Sequence, residues 1–450
     1  MTLFRGTVLD TPEGDAPGGI RLRAGSDTGL LVTEGTIVER GPFAELAHRH
    51  PAEDVVDLSE GLVLPGLVDT HVHYPQVRSI GALGMPLLDW LEKSALPEEA
   101  RLEDPAYALG AATDFVQGLV SAGTTTALVF GAHFAPAVEN LFDEAARVGL
   151  RVTSGLVVSD RALPESLLTT AERAYDESLT LAKRWHGRGR LRYAVTPRFS
   201  LSASEAMLDC CAAVMTELPG AWFTTHANEN AAEVAEVARL FPEARDYIDT
   251  YDRHGLLGPH SVIAHNVHAT DPELAMLGSR GASVAHCPTS NCSLGSGLFA
   301  LRRHVDHGVH VALGSDVGAG TGFSLFKEGL QAYFVQQLLG QDGLPLTAPD
   351  LLYLATRAGA VALGLGDTVG DLGVGKAFDA IWVRPRPGDP LEVGLQHASS
   401  AEDALARTFA LACSDDVAGV WVGGDRVGDR WATGWAAGWA TGCRARESLT

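Results

Sequence analysis

Between Leu62 and Val317 the chain alternates short apolar runs with longer stretches of helical spacing, and the runs number eight. They are Leu62 to Asp69, Thr124 to Phe130, Arg151 to Val158, Leu191 to Val195, Trp222 to His226, Ser261 to His265, Ala282 to His286 and Val309 to Leu313. Segments such as Ala137 to Val148, Ala203 to Met215 and Ala231 to Leu240 lie between them with the spacing of a one-sided helix. Strands joined through helices run parallel, because each crossover returns the chain to the same end of the sheet. Eight such units in roughly 250 residues predict a (β/α)8 TIM barrel, whose reactive groups stand at the carboxyl ends of the strands. An open doubly wound sheet is the alternative for the same alternation, but no Gly-x-Gly-x-x-Gly turn opens the first crossover.

The strand ends carry chemistry. Leu64 to His73 delivers His71 and His73 two residues apart, and alternate residues of a strand point to one face, so both imidazoles aim at one point. Later runs end in His226, His265 and Asp316. Three imidazoles and one carboxylate, His71, His73, His226 and Asp316, suit Zn2+, which lowers the pKa of a bound water from 15.7 to about 7. The fourth run ends in Thr196-Pro-Arg-Phe199 without a lysine to form a bridging carbamate, so one zinc ion per chain is expected. Glu229, three residues past His226, can swing a carboxyl toward a substrate as a proton shuttle; its plainer role is a helix-start carboxylate favourable to the dipole. His286, His133, His268 and His254 are read as core or hydrogen-bonding residues.

The flanks differ in style. Phe4 to Leu9, Gly29 to Val32 and Gly35 to Glu39 are short alternating runs broken by Gly, Pro and Asp, and Ala377 to Val383 and Val417 to Val427 resume that style at the far end. A small β-sandwich built from both termini follows: residues 1–64 and 376–429 around a barrel at 65–375, with a Trp-, Gly- and Ala-rich tail at 430–450. Fifty-six acidic against 34 basic residues give a net charge of -22, which repels polyanions and argues against nucleic-acid and membrane-surface partners. No signal peptide or membrane span is evident, so a cytoplasmic location is expected. Six cysteines without a Cys-x-x-Cys pair indicate neither a disulfide framework nor a thiolate zinc site.

Several motifs go further: His71-Val-His-Tyr-Pro-Gln76, Leu87-Leu-Asp-Trp-Leu-Glu-Lys93, Val195-Thr-Pro-Arg-Phe-Ser200, His226-Ala-Asn-Glu229, Ala285-His-Cys-Pro-Thr-Ser-Asn291 and Gly314-Ser-Asp316. Through these, the chain resembles the amidohydrolase superfamily and, within it, the guanine deaminase family. Small departures at Asn228, Ala231 and Thr289 bear only on fine substrate contacts. The resemblance implies a homodimer that converts guanine to xanthine and ammonia. Glu229 would carry protons, His265 would hold the attacking hydroxide, and Asp316 would bind metal and accept its proton. Arg198 would read a carbonyl and Gln76 the remaining purine edge, with Phe199 in apolar contact and Trp90 either a loop anchor or a pocket wall. His73, His226, Glu229 and Asp316 would border the substrate as well. The rivals are a related aminohydrolase acting on another purine, pterin, triazine or pyrimidine, and a catalytically dead barrel scaffold.

Overall fold

The computed structural model describes residues 1–427. Four strands come first: β1 (Thr2–Asp10), β2 (Arg23–Thr33), β3 (Thr36–Pro42) and β4 (Asp54–Pro65). There follow β5 (Leu67–His73), β6 (Thr124–Phe130), β7 (Arg151–Ser154), β8 (Val157–Val158), β9 (Leu191–Pro197), β10 (Trp222–Ala227), β11 (Ser261–His265), β12 (Ser283–His286) and β13 (His310–Leu313). The last three are β14 (Ala380–Val383), β15 (Val417–Val422) and β16 (Asp425–Arg426). The tail read at 430–450, and residues 428 and 429 before it, lie outside the described residues.

The expected barrel is present. Eight parallel strands run in the order β5, β6, β7, β9, β10, β11, β12, β13, with β8 as a short addition on β9. Every residue of β5, β6 and β11 is buried, as strands covered on both faces require. The ring closes where the Thr70 hydroxyl donates to the Leu313 carbonyl at 2.8 Å and the Asp316 amide to the His71 carbonyl at 2.9 Å. The crossover helices bury one stripe each. In Ala171–Trp185 that stripe is Ala174, Ser178, Leu181, Ala182 and Trp185, and the helix starts at Thr170, whose hydroxyl accepts from the Arg173 amide.

Two of the eight runs differ from their expected form. Leu62 to Asp69 is not one strand: the chain breaks at Gly66, whose amide donates to the Asp379 carbonyl, and Leu62–Pro65 pairs with β14 while Leu67 onward pairs with β6. Both halves are buried, so apolarity alone did not distinguish one long strand from two. Arg151 to Val158 is also divided. The Leu156 amide leaves the ladder to donate to the Tyr193 hydroxyl at 3.2 Å, which separates β7 from β8.

The terminal strands form a single seven-stranded sheet in the order β16, β15, β14, β4, β1, β2, β3. Trp421 on β15 and Phe4 on β1 lie three strand spacings apart, about 14 Å in a flat sheet. Their ring centroids are 5.8 Å apart, so the sheet bends double and encloses its own apolar layer of Phe4, Leu30, Ile37, Phe378 and Trp421. This is how both termini build one sandwich. The Val422-Gly-Gly-Asp turn is a two-residue hairpin with φ of 56° at Gly423 and 81° at Gly424, the positive values that glycine reaches without strain. Asp379 ties this sheet to the barrel by a bidentate pair with Arg151 at 2.7 and 3.0 Å.

Candidate metal centre and substrate chamber

His71 and His73 project from β5 into the open end of the barrel, His226 from β10 and His265 from the last residue of β11, while Asp316 lies three residues past β13. Their nitrogens and oxygens converge. His73 Nε2 is 3.1 Å from the Nε2 atoms of both His71 and His226, and Asp316 Oδ1 is 3.3 Å from the Nε2 of both His71 and His73. His265 Nε2 joins from the far side, 3.8 Å from Asp316 Oδ2 and 3.6 Å from Glu229 Oε2. Two overlapping sets, His71 with His73 and His226, and His71 with His265 and Asp316, keep their donor atoms within 4.8 Å of one another.

The donor chemistry fits a cation. His226 Nδ1 is 2.7 Å from the Arg198 carbonyl, and an imidazole nitrogen facing a carbonyl must carry the proton, which leaves Nε2 a bare lone pair. His265 is fixed the same way by Asn291 Oδ1 at 2.9 Å. Burial pushes His73 down to about 3 and His226 well below the usual histidine range, so these rings are neutral at ordinary pH. Ligand atoms at the usual ~2.0–2.1 Å from a tetrahedral zinc stand about 3.3 Å apart, which matches the spacing observed here. Asp69 laces the frame together: its Oδ1 accepts from the amides of His71 at 3.2 Å and Ser315 at 3.0 Å, which binds the first ligand strand to the loop that carries Asp316.

The two acidic groups beside His265 are driven apart. Burial, with Glu233 and Asp316 nearby, pushes the Glu229 carboxyl well above the ordinary range. Burial would raise Asp316 too, but its hydrogen bond to His71 and the imidazoles around it hold that carboxyl well below. Their surroundings thus shift the two carboxyls in opposite directions. His265, Asn228 and Asp316 take left-handed backbone, with φ of 67°, 53° and 48°, a region uncommon outside glycine but reached most readily by His, Asn and Asp.

Above the cluster lies a small chamber. Gln76, Trp90, Arg198 and Phe199 all line it, as do His73, His226, Glu229, His265 and Asp316. Trp90 is 2% exposed and belongs to the wall, with Leu87 and Leu91 of the same segment beside it. The plainly read histidines stay apart: His286 stacks on Phe299, His268 Nε2 faces the Ser296 carbonyl and His254 lies between Glu205 and Asp209. Arg198 pairs with buried Glu99 at 2.6 Å. Glu99, Asp69 and Asn291 have roles that the sequence reading did not assign.

A closed (β/α)8 barrel with buried imidazoles and carboxylates converging at the carboxyl ends of its strands defines a metal-dependent hydrolase. The sequence model of the amidohydrolase family matches residues 62–427, and the chain belongs to that family. A relative from Deinococcus radiodurans named probable guanine deaminase is 58% identical over 429 residues, covering 94% of this chain and 98% of its own. The solved Escherichia coli guanine deaminase superposes with a TM-score of 0.90 at 37% identity, covering 95% of this chain and 99% of that one. A guanine deaminase from C. acetobutylicum, solved with guanine bound in its active site, superposes with a TM-score of 0.87 at 25% identity, covering 94% and 99%.

Proposed function

We propose that this chain catalyses hydrolytic deamination of guanine to xanthine and ammonia, with one zinc ion held by His71, His73, His226 and Asp316. The observation that carries the reading is a metal-fitting cluster beneath a small chamber whose polar wall offers the donors of Arg198 and the amide of Gln76. The guanine-bound relative supports the substrate. Zinc supplies a Lewis acid that makes a water in the site nucleophilic at neutral pH. The water oxygen bonds to the carbon bearing the exocyclic amino group, and the carbon–nitrogen bond there breaks.

The chain's own residues move the protons. His265 Nε2, bare because Nδ1 donates to Asn291, accepts a hydrogen bond from the water and orients it, and Asp316 takes its proton. Glu229, raised by burial, gives a proton to the adjacent ring nitrogen and then serves the departing amine. Arg198 donates to the purine carbonyl, and Phe199 and Trp90 exclude water from the ring faces. A homodimer in the cytoplasm is part of the same proposal, on the resemblance alone; light scattering of the purified protein reads the oligomer. No helix among the described residues is long and apolar enough to cross a membrane.

The deciding experiment follows ammonia release by the purified, metal-analysed protein from guanine, adenine, cytosine, guanosine and a triazine. Guanine should be the preferred substrate and guanosine a poor one, because the chamber has little room for a ribose. Faster release from any of the others assigns the site to a related aminohydrolase instead.

A further inference from the structure

The helical segment that follows Trp90 carries two adjacent glutamates that part ways. Glu98 turns toward Tyr107 and Arg101, whereas Glu99 is buried with both carboxylate oxygens engaged. Its Oε1 accepts from Gln76 Nε2 at 2.8 Å and its Oε2 from Arg198 Nη1 at 2.6 Å. His133 Nε2 stands 3.3 Å from Oε2. Gln76 and Arg198 line the chamber and Glu99 lies behind them.

This arrangement dictates how Gln76 faces. A side-chain amide has one acceptor and one two-proton donor, and with the donor held by a carboxylate the acceptor turns away from it. The opposite orientation would set the amide oxygen against a negative oxygen. Gln76 Oε1 is buried beside Gly318 and has no hydrogen-bond partner in the protein, so its acceptor capacity is unfilled. Arg198 can only donate. The wall therefore presents one acceptor and one donor, both fixed by the same carboxylate.

We propose that Glu99 is the positioning residue that sets the chamber's hydrogen-bond code, holding Gln76 as acceptor and Arg198 as donor, so that the purine must offer an N–H beside a carbonyl. The proposal rests on the guanine reading above and deepens it. Guanine has a carbonyl at position six next to a ring N–H. Adenine has an amino group next to a bare ring nitrogen, which opposes the wall at both points.

The test is Glu99→Gln. A glutamine there offers Arg198 its oxygen and turns its NH2 to Gln76, whose amide must then flip and present donors to the purine. The ratio kcat/KM for guanine should fall at least ~10-fold, mainly through KM, with metal content and circular dichroism unchanged. The double variant Glu99→Gln with Gln76→Glu restores an acceptor facing the chamber and should recover most of that loss, a rescue that a merely structural glutamate would not show. Wild-type kcat/KM in Glu99→Gln overturns the proposal, as does a folded, metal-loaded double variant no better than Glu99→Gln. If the single variant does not fold, the double variant decides alone: guanine turnover supports the assignment, and a folded, inactive protein overturns it. A crystal structure of the wild-type protein with guanine should place a ring N–H on the Gln76 amide; a carbonyl or bare nitrogen there overturns it. Loss of the Glu99 assignment alone leaves wild-type guanine turnover standing, whereas a wild-type protein inert to guanine overturns both readings.

Discussion

Glu229 and Asp316 both approach the Nε2 of His265, at 3.6 and 3.8 Å, yet their surroundings shift the two carboxyls in opposite directions. Substitutions should separate the two roles. Glu229→Gln keeps the shape and touches none of the four proposed metal ligands, so it should retain metal and bind guanine while turnover drops ~100-fold or more, the usual scale for a general acid–base group. His73→Ala or Asp316→Ala should instead lose most of the metal and nearly all activity with the barrel intact. Elemental analysis, initial rates and circular dichroism on the same preparations distinguish these outcomes. One tightly held metal per chain in both ligand variants would sink the ligand assignment. Near-normal turnover in Glu229→Gln would return that residue to a helix-start carboxylate.

The barrel strands were legible because their burial is uniform: Thr124 to Phe130 and Ser261 to His265 are strands to the residue. Strand β4 was not, because its first half reads Asp54, Val55, Val56, Asp57, largely exposed and held by pairing with β1 rather than by any local pattern. Glu99 was missed for a related reason. Buried positions in its segment run Leu87, Trp90, Leu91, Ala95, Leu96 and Glu99, so a charged residue sits on the apolar stripe, and the surrounding Glu92, Lys93 and Glu98 disguise it. A glutamate in phase with apolar neighbours was the available signal.

The helix Leu325–Leu338 carries another such residue. Burial pushes Glu328 from 4.5 up to about 8, against the two hydrogen bonds it accepts from Thr289. The folded chain holds a proton there that the unfolded chain releases, so this contribution to stability is full below about pH 4.5 and is lost as pH rises through 8. Glu328→Gln mimics the protonated form. Its Tm advantage over wild type should be near zero at pH 5 and grow to several degrees by pH 8.5, consistent with a few kcal/mol of linkage. A difference in Tm that does not change with pH would show that Glu328 is ionised when folded.

At the scale of the whole molecule the barrel and the doubled sheet divide the labour, since every residue proposed for the site lies between His71 and Asp316. Trp421 packs on Phe4 and Phe378 at the fold of the sheet and is 4% exposed. Trp421→Ala should cost about 3–5 kcal/mol, the usual range for emptying a large aromatic from a core. Chemical denaturation should show that loss, while metal content and kcat of the folded fraction stay at wild-type values. A fall in kcat without a fall in stability would mean that the sheet acts on the site directly.

The doubled sheet also imposes an order in time. Its β4 is complete at residue 65, but its neighbour β14 begins at residue 380, more than 300 residues later. At ~5–20 residues per second, the Leu62–Pro65 edge emerges from the ribosome roughly 15–60 seconds before its partner exists. A chain cut short anywhere before residue 380 keeps that apolar edge open for good, a template for pairing with another molecule of its kind.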